Sequence, residues 1–279
     1  MRASCRSNGE SRRAHITAWS SRLNAMTTGR VAAFFDVDNT VVRGASLFHL
    51  ARSFRQRGYF RARDIRTFIV KQSRFVLSGK EYLTDIASVQ QSALAFVAGR
   101  SVEEMTSLAA EVFDERLADK LWHEVLELAH RHRDAGTDVW LVTATPVEVA
   151  DLMAHRLGLS GALGTVSEVV DGVYTGNLVG SVLHGKQKAI AVKALAEREG
   201  INLAASSAYS DSANDLPLLE SVGLPHVVNP DRALKRIARE RGWPILEFRS
   251  RRSLARWSGR QLSLAGAIVA TLVALFATR

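Results

Sequence analysis

Cysteine is nearly missing: Cys5 is the only one in 279 residues, so no internal disulfide can form and no cysteine cluster can bind zinc. A reducing compartment is the expectation. Proline is scarce too, with five in the chain and none between residues 45 and 135. Aromatic residues make up 7% and charged residues 23%. These fractions, with 47% hydrophobic residues, exclude collagen, a disordered tail and a disulfide scaffold. The length suits one large domain, or a domain with a smaller insert. The first 25 residues lack the apolar run of a secretory signal, so export by that route is not expected. Met26 is an alternative start, with 1–25 an untranslated or disordered extension.

The net charge of +9 points first to nucleic acid or an anionic membrane surface. Its distribution argues otherwise. Residues 1–30 hold six Arg against Glu10, and residues 231–279 hold eleven Lys or Arg against Asp231, Glu240 and Glu247. The stretch 31–230 has twenty basic against twenty-four acidic residues, a net of −4. An acidic middle between basic ends makes a nucleic-acid-binding core a poor reading, and no nucleic-acid partner is expected.

From Val31 the run VAAFFDV is apolar up to Asp36, as expected of a strand buried on both faces of a parallel sheet. Residues 45–135 read as nearly continuous helix, broken at Gly58, Gly79 and Gly99, with Ser101 and Glu104 forming a capping box. Strand–helix alternation follows: DVWLV, a helix opened by Pro146, a hairpin in GVYTGNLVGSVL, the helix KQKAIAVKALAEREG, the strand SSAYS, the helix NDLPLLESVG, the strand PHVVN and the helix DRALKRIARERG. The expected fold is α/β, a Rossmann-like parallel sheet interrupted after its first strand by a helical insertion. The expected organisation is a basic extension at 1–30, a core at 31–44 and 136–248, a helical insertion at 45–135, a basic linker at 249–261 and an apolar helix at 262–279.

Residues 262–278 carry no charge over seventeen residues, the lower end of the roughly 17–25 that span a bilayer. Arg249, Arg251, Arg252, Arg256, Trp257 and Arg260 precede them, a basic and aromatic flank. The expectation is a tail anchor holding the protein on the cytoplasmic side of the membrane; a C-terminal helix buried in the core or in a dimer is the alternative, leaving the chain cytoplasmic.

Asp36 and Asp38 follow the first strand in DVDNT, and Asp211 and Asp215 follow a later one in YSDSAND. In an open parallel sheet ligands bind beyond the carboxyl ends of strands, so the four acids can converge there. Gathered carboxylates repel unless a hard cation joins them, and carboxylate oxygens with water suit Mg²⁺. The same crowding lets one carboxylate act as nucleophile beside another that protonates a leaving group. A calcium loop fits less well, since Val41 stands where it needs Gly and Leu47 where it needs a bidentate Glu.

DVDNT resembles the first motif, Asp-x-Asp-x-Thr after an apolar strand, of the haloacid dehalogenase-like phosphatases. Thr143 in WLVTATP is similar to the second motif, a lysine in HGKQKA to the third, and DSANDLPLL to the fourth in the phosphoserine phosphatase-like branch. The resemblance spans residues 31–248. It implies a phosphatase with Asp36 as nucleophile, forming an aspartyl-phosphate, and Asp38 as acid and then base. It further implies that Thr143 and the adjoining backbone N–H of Ala144 hold phosphoryl oxygens with Asn214 and a lysine. Mg²⁺ would be held by Asp36, the Asp38 carbonyl and Asp211, with Asp215 on the metal's waters. Lys188, 23 residues before Asp211, fits the third motif better than Lys186.

The insertion lies where that branch carries a helical cap, which implies that specificity resides there. Ala45 stands nine residues after Asp36, where the phosphoserine enzymes carry a Glu for the substrate ammonium, so phosphoserine itself is in question. Arg43 and His49 are alternative substrate contacts. Six arginines between Arg52 and Arg66 read as a solvated face or a patch for anionic headgroups. His130 and His132 are not spaced for zinc and read as helix-surface residues. Together these readings give a Mg²⁺-dependent phosphomonoester hydrolase for a small phosphorylated metabolite or lysophospholipid-type phosphate. A non-catalytic phospho-ligand-binding regulator on the same fold is the alternative.

Overall fold

The structure, a computed structural model, describes residues 29–46, 49, 53 and 98–249. Most of the expected insertion, its arginines from Arg52 to Arg66, the extension before Gly29, the linker beyond Arg249 and the apolar run at 262–278 lie outside the described residues. Among the described residues no helix is long and apolar enough to cross a membrane.

The core is a six-stranded parallel sheet. Its strands are β1 (Ala32–Asp36), β2 (Asp138–Pro146), β3 (Gly161–Thr165), β6 (Ser207–Ser210), β7 (Leu224–Val228) and β8 (Ile245–Leu246). They lie in the order β3-β2-β1-β6-β7-β8. A separate antiparallel pair joins β4 (Ser167–Val170) to β5 (Val173–Leu178). The helices are α1 (Val102–Val112), α2 (His123–Asp134), α3 (Val147–Arg156), α4 (Lys186–Glu199), α5 (Leu216–Leu219) and α6 (Arg232–Arg241).

β1 is apolar from Ala32 to Phe35 because it is covered on both faces. Ala33 and Phe35 pack with Val125 and Ala129 of α2 and with Met153 and Ala154 of α3. Ala32 and Phe34 point the other way, into Val192 and Leu195 of α4, Leu218 of α5 and Leu234 of α6. The strand's period of two thus feeds two helical layers. Each wholly buried phenylalanine contributes about 1.5–3 kcal/mol of apolar transfer.

α1 begins as its capping box dictates, the Ser101 hydroxyl accepting the Glu104 backbone N–H at 3.0 Å. Its Met105, Leu108, Ala109 and Val112 pack on Tyr174 of β5 and partly on Val149 and Leu152 of α3. A π-helical turn (Phe113–Leu117) and a 3-10 turn (Ala118–Lys120) then lead into α2. α2, placed by sequence within the helical insertion, lies on the sheet against β1 and β2.

Three local expectations are corrected. The hairpin is built from 167–178 rather than 172–183, turning at Asp171 and Gly172, both with positive φ. β3, the sheet's edge, was missed because GALGT carries two glycines and resembles a loop. A Cβ on Gly164 would lie 2.5 Å from the Val147 Cα, so close packing of α3's start demands glycine there. The expected helix at 214–223 is only a 3-10 turn (Ala213–Asp215) and the single turn α5. The chain must return to the sheet at Gly223, where a Cβ would fall 1.8 Å from the Ala204 carbonyl oxygen.

His130 and His132 are not surface decoration. His130 Nε2 lies 2.9 Å from the Leu157 carbonyl at the end of α3, and His132 Nε2 lies 2.8 Å from the Tyr209 hydroxyl on β6. Tyr209 in turn stacks on Phe35 at 4.3 Å and on His226 at 4.7 Å. Burial and the neighbouring His226 hold the His132 imidazole below its ordinary pKa. Both histidines fasten α2 to its neighbours.

Strand order reverses between β1 and β6, whose chain neighbours continue in opposite directions. That switch point opens a crevice beyond the carboxyl ends of the strands, the place where open α/β sheets bind ligands.

Candidate active site

Asp36 ends β1 and Asp211 follows β6, so the two acids flank the switch point. Asp36 pairs in register with Val142, which brings Thr143, the next residue of β2, to the same end of the sheet. Asp36, Asp211, Asp215, Thr143 and Lys188 are all buried, whereas Asp38 is partly exposed. Lys188 reaches the acids because α4 begins at Lys186 and turns Lys188 inward, while Lys186 itself is exposed. Its Nζ donates to Asp36 Oδ1 at 2.5 Å and to Asp215 Oδ2 at 2.7 Å.

Hydroxyls complete the first contacts of the carboxylates. Thr40 Oγ1 donates to Asp36 Oδ2 at 2.9 Å, and Ser210 Oγ donates to Asp215 Oδ2 at 2.8 Å. Ser46 donates twice to Asp38 Oδ1, from its backbone N–H at 2.8 Å and from Oγ at 2.6 Å. Ser46 Oγ also lies 3.0 Å from Thr145 Oγ1, which accepts from Thr143 Oγ1 at 3.0 Å. The chain Thr143–Thr145–Ser46–Asp38 therefore links the end of β2 to the loop after β1.

The electrostatics show a site short of positive charge. Burial pushes the Asp36 carboxyl up to about 7; Lys188 opposes this, and Asp215 and Asp38 reinforce it. Asp211 is also held well above the usual carboxylate range, by burial first and then by Asp36 and Asp215. Burial works against the Lys188 ammonium, but Asp36 and Asp215 outweigh it and keep it firmly charged. One ammonium does not balance these acids.

The residues fit a hard divalent cation in chemistry. Asp215 Oδ1 is buried with no hydrogen-bond partner, and the donors around it are carboxylate oxygens, which suit Mg²⁺. Among the described residues no three His, Cys, Asp or Glu side chains are gathered into a ready-made ligand cluster, and the Lys188 ammonium lies between two of the acids. The orphaned oxygen and the raised carboxyls favour a cation there, because side chains adjust more readily than a buried charge imbalance persists.

Most residues expected from sequence are thus together. Asn214 differs: it is exposed, and its backbone N–H turns to Ser212 Oγ at 3.3 Å. Ala144 is partly buried, its carbonyl accepting from Thr165 Oγ1 at 2.7 Å. Arg43 stacks on Trp122, 4.4 Å from the ring centre, and His49 Nε2 lies 3.4 Å from the Arg43 carbonyl. Thr40 is the Thr of the DVDNT motif; sequence reasoning missed Ser46, Thr145 and Ser210. Thr145 and Ser210 are hydroxyls in the last residues of strands and Ser46 is one in the loop beyond β1, and small hydroxyl residues are common in such places. It also passed over His184, half-buried near the site, whose imidazole is held low by burial and then by Lys188, against the pull of Asp215 and Asp38.

The site is thus a set of buried acids and one lysine at the switch point of a parallel sheet. The chain belongs to the haloacid dehalogenase-like hydrolases, whose family model matches residues 33–220. It falls on the phosphoserine phosphatase-like branch and is an enzyme of the phosphatase type. Phosphoserine phosphatase SerB1 of Mycobacterium tuberculosis is 51% identical over 248 residues, which are 89% of this chain and 80% of that one. Histidinol-phosphatase of Neisseria meningitidis is 29% identical over 221 residues, covering 78% of this chain and 98% of its own. A solved structure of a Bordetella pertussis protein of unknown function matches with a TM-score of 0.69 at 28% identity, over 78% of this chain and 99% of that one.

Proposed function

We propose that the chain is a Mg²⁺-dependent phosphomonoester hydrolase working through an aspartyl-phosphate on Asp36. The supporting observation is the buried Asp36 at the switch point, held by Lys188 and Thr40 beside Asp211 and Asp215. An Asp36 carboxylate oxygen attacks phosphorus and the ester P–O bond breaks. Asp38 gives its proton to the leaving oxygen, then takes one from the water that hydrolyses the acyl phosphate, releasing phosphate and restoring Asp36. Thr143, the Ala144 N–H, Asn214 and Lys188 hold the phosphoryl oxygens. Asp36, the Asp38 carbonyl and Asp211 would hold Mg²⁺, with Asp215 on its waters; bound there, the ion neutralises phosphoryl charge.

The substrate is a small phosphorylated metabolite or a lysophospholipid-type phosphate, with selection by the part of the expected insertion that precedes α2. Two relatives carry different substrate names, and Ala45 replaces the ammonium-binding Glu of the phosphoserine enzymes. The test is a phosphate-release screen with Mg²⁺ against phosphoserine, histidinol phosphate, other phosphorylated metabolites and lysophosphatidic acid. One ester is expected to exceed the rest in kcat/KM by at least about tenfold, the size of one well-placed contact. Release from none of them, p-nitrophenyl phosphate included, would sink the hydrolase reading.

The basic flank and apolar run at 249–279 support attachment to a membrane on its cytoplasmic side. Removing residues 249–279 is then expected to move the protein from the membrane pellet to the supernatant. Unchanged partitioning in ultracentrifugation would remove this part of the proposal.

A further inference from the structure

Ser46, beside the carboxylates, makes contacts that the mechanism leaves unexplained. It is wholly buried, stands where the expected insertion begins, and commits both its backbone N–H and its hydroxyl to a single oxygen, Asp38 Oδ1. Because Ser46 Oγ donates to Asp38, the 3.0 Å contact with Thr145 must be donated by Thr145. Thr143 donates to Thr145 in turn. Every hydroxyl proton in this row therefore points toward Asp38 Oδ1.

Two donors on one oxygen fix the carboxylate plane, since a side-chain carboxylate otherwise rotates with little hindrance about its last bond. They also leave Asp38 Oδ2 as the oxygen that can face an incoming ester. We propose that Ser46, braced by Thr145, is the positioning residue that aims Asp38 at the leaving-group oxygen. It acts through Asp38 and does not touch the substrate. The brace joins the loop after β1 to the end of β2. This inference rests on the reading of Asp38 as the acid that protonates the leaving group.

The test compares two monoesters of similar shape, p-nitrophenyl phosphate and benzyl phosphate, by kcat/KM in saturating Mg²⁺. The aryl oxygen leaves without a proton at neutral pH, whereas the benzyl oxygen requires one. Ser46→Ala keeps the backbone donor and removes the hydroxyl. It is expected to lower kcat/KM for benzyl phosphate by about tenfold to a hundredfold, the effect of one hydrogen bond to a charged group. For p-nitrophenyl phosphate the change should stay within about threefold, since no proton transfer is at stake. Thr145→Val is expected to shift the ratio of the two substrates in the same direction by less, and Ser46→Thr, which keeps the hydroxyl, to restore it. A role in folding alone would lower both substrates equally or reduce the melting temperature with no change in the ratio, and either result overturns the proposal. Asp38→Asn serves as the reference. If it fails to discriminate between the esters, the acid assignment itself fails; if it discriminates and Ser46→Ala does not, only the positioning role falls.

Discussion

Asp36→Asn is expected to abolish phosphate release from every ester, lowering kcat by about 10⁴-fold or more, because an amide cannot form the acyl phosphate. The fold should survive. Asp36 is buried, and burial with Asp215 and Asp38 outweighs Lys188 and raises its pKa from 3.8 to about 7. Between those two values the folded state binds more protons than the unfolded one. The carboxyl's contribution to stability is therefore full below pH 3.8 and is lost as pH rises through about 7. Asparagine removes this titration. In chelator, the melting temperature of the native enzyme should fall between pH 5 and pH 7.5 more than that of Asp36→Asn. Mg²⁺ should reduce the difference for the native enzyme by favouring the charged carboxylates. Parallel melting curves across that range would show that Asp36 is not the titrating group. Phosphate release equal in Asp36→Asn and the native protein would show that Asp36 is not the nucleophile.

What was readable in the sequence follows from how strongly each residue is constrained. β1 could be read from its unbroken apolar run because both faces are buried, and the four acids could be read from their place just past strands. β3 could not, since Gly161 and Gly164 are there for close packing against Trp140 and the start of α3 rather than for a turn. The hydroxyls of Ser46 and Thr145 were illegible for a related reason. Their roles come from contacts such as Ser46 to Thr145, 99 positions apart, which no local pattern encodes. His132 was misread because its partner, Tyr209, lies 77 positions away on another strand. Spacing did favour Lys188 over Lys186. The reason is a matter of helix geometry, because α4 begins at residue 186 and the two positions face nearly opposite sides.

That choice carries the second large effect. Lys188→Met is expected to lower kcat/KM by about 10²–10³-fold, the usual loss when a charge stabilising a transition state is removed from a buried site. Its effect on stability should be as marked. Lys188 sits between Asp36 and Asp215, each within hydrogen-bond distance and all three side chains at most 6% exposed. Removing one partner of such a buried pair leaves uncompensated charge and costs about 3–5 kcal/mol. Part of this is relieved if Asp36 takes up a proton, so the loss in urea midpoint should grow from pH 5 to pH 8. Mg²⁺ at about a hundredfold over its dissociation constant should restore about 2.7 kcal/mol, since the ion replaces the missing positive charge. Arginine is not expected to substitute, because its planar guanidinium is larger than the slot the ammonium fills. Lys186→Met, at an exposed position, should leave both rate and midpoint unchanged. If Lys188→Met were as stable as the native enzyme in chelator at pH 8, the ammonium would not be what holds these carboxylates together, and the charge imbalance would have to be met by protons on the acids themselves.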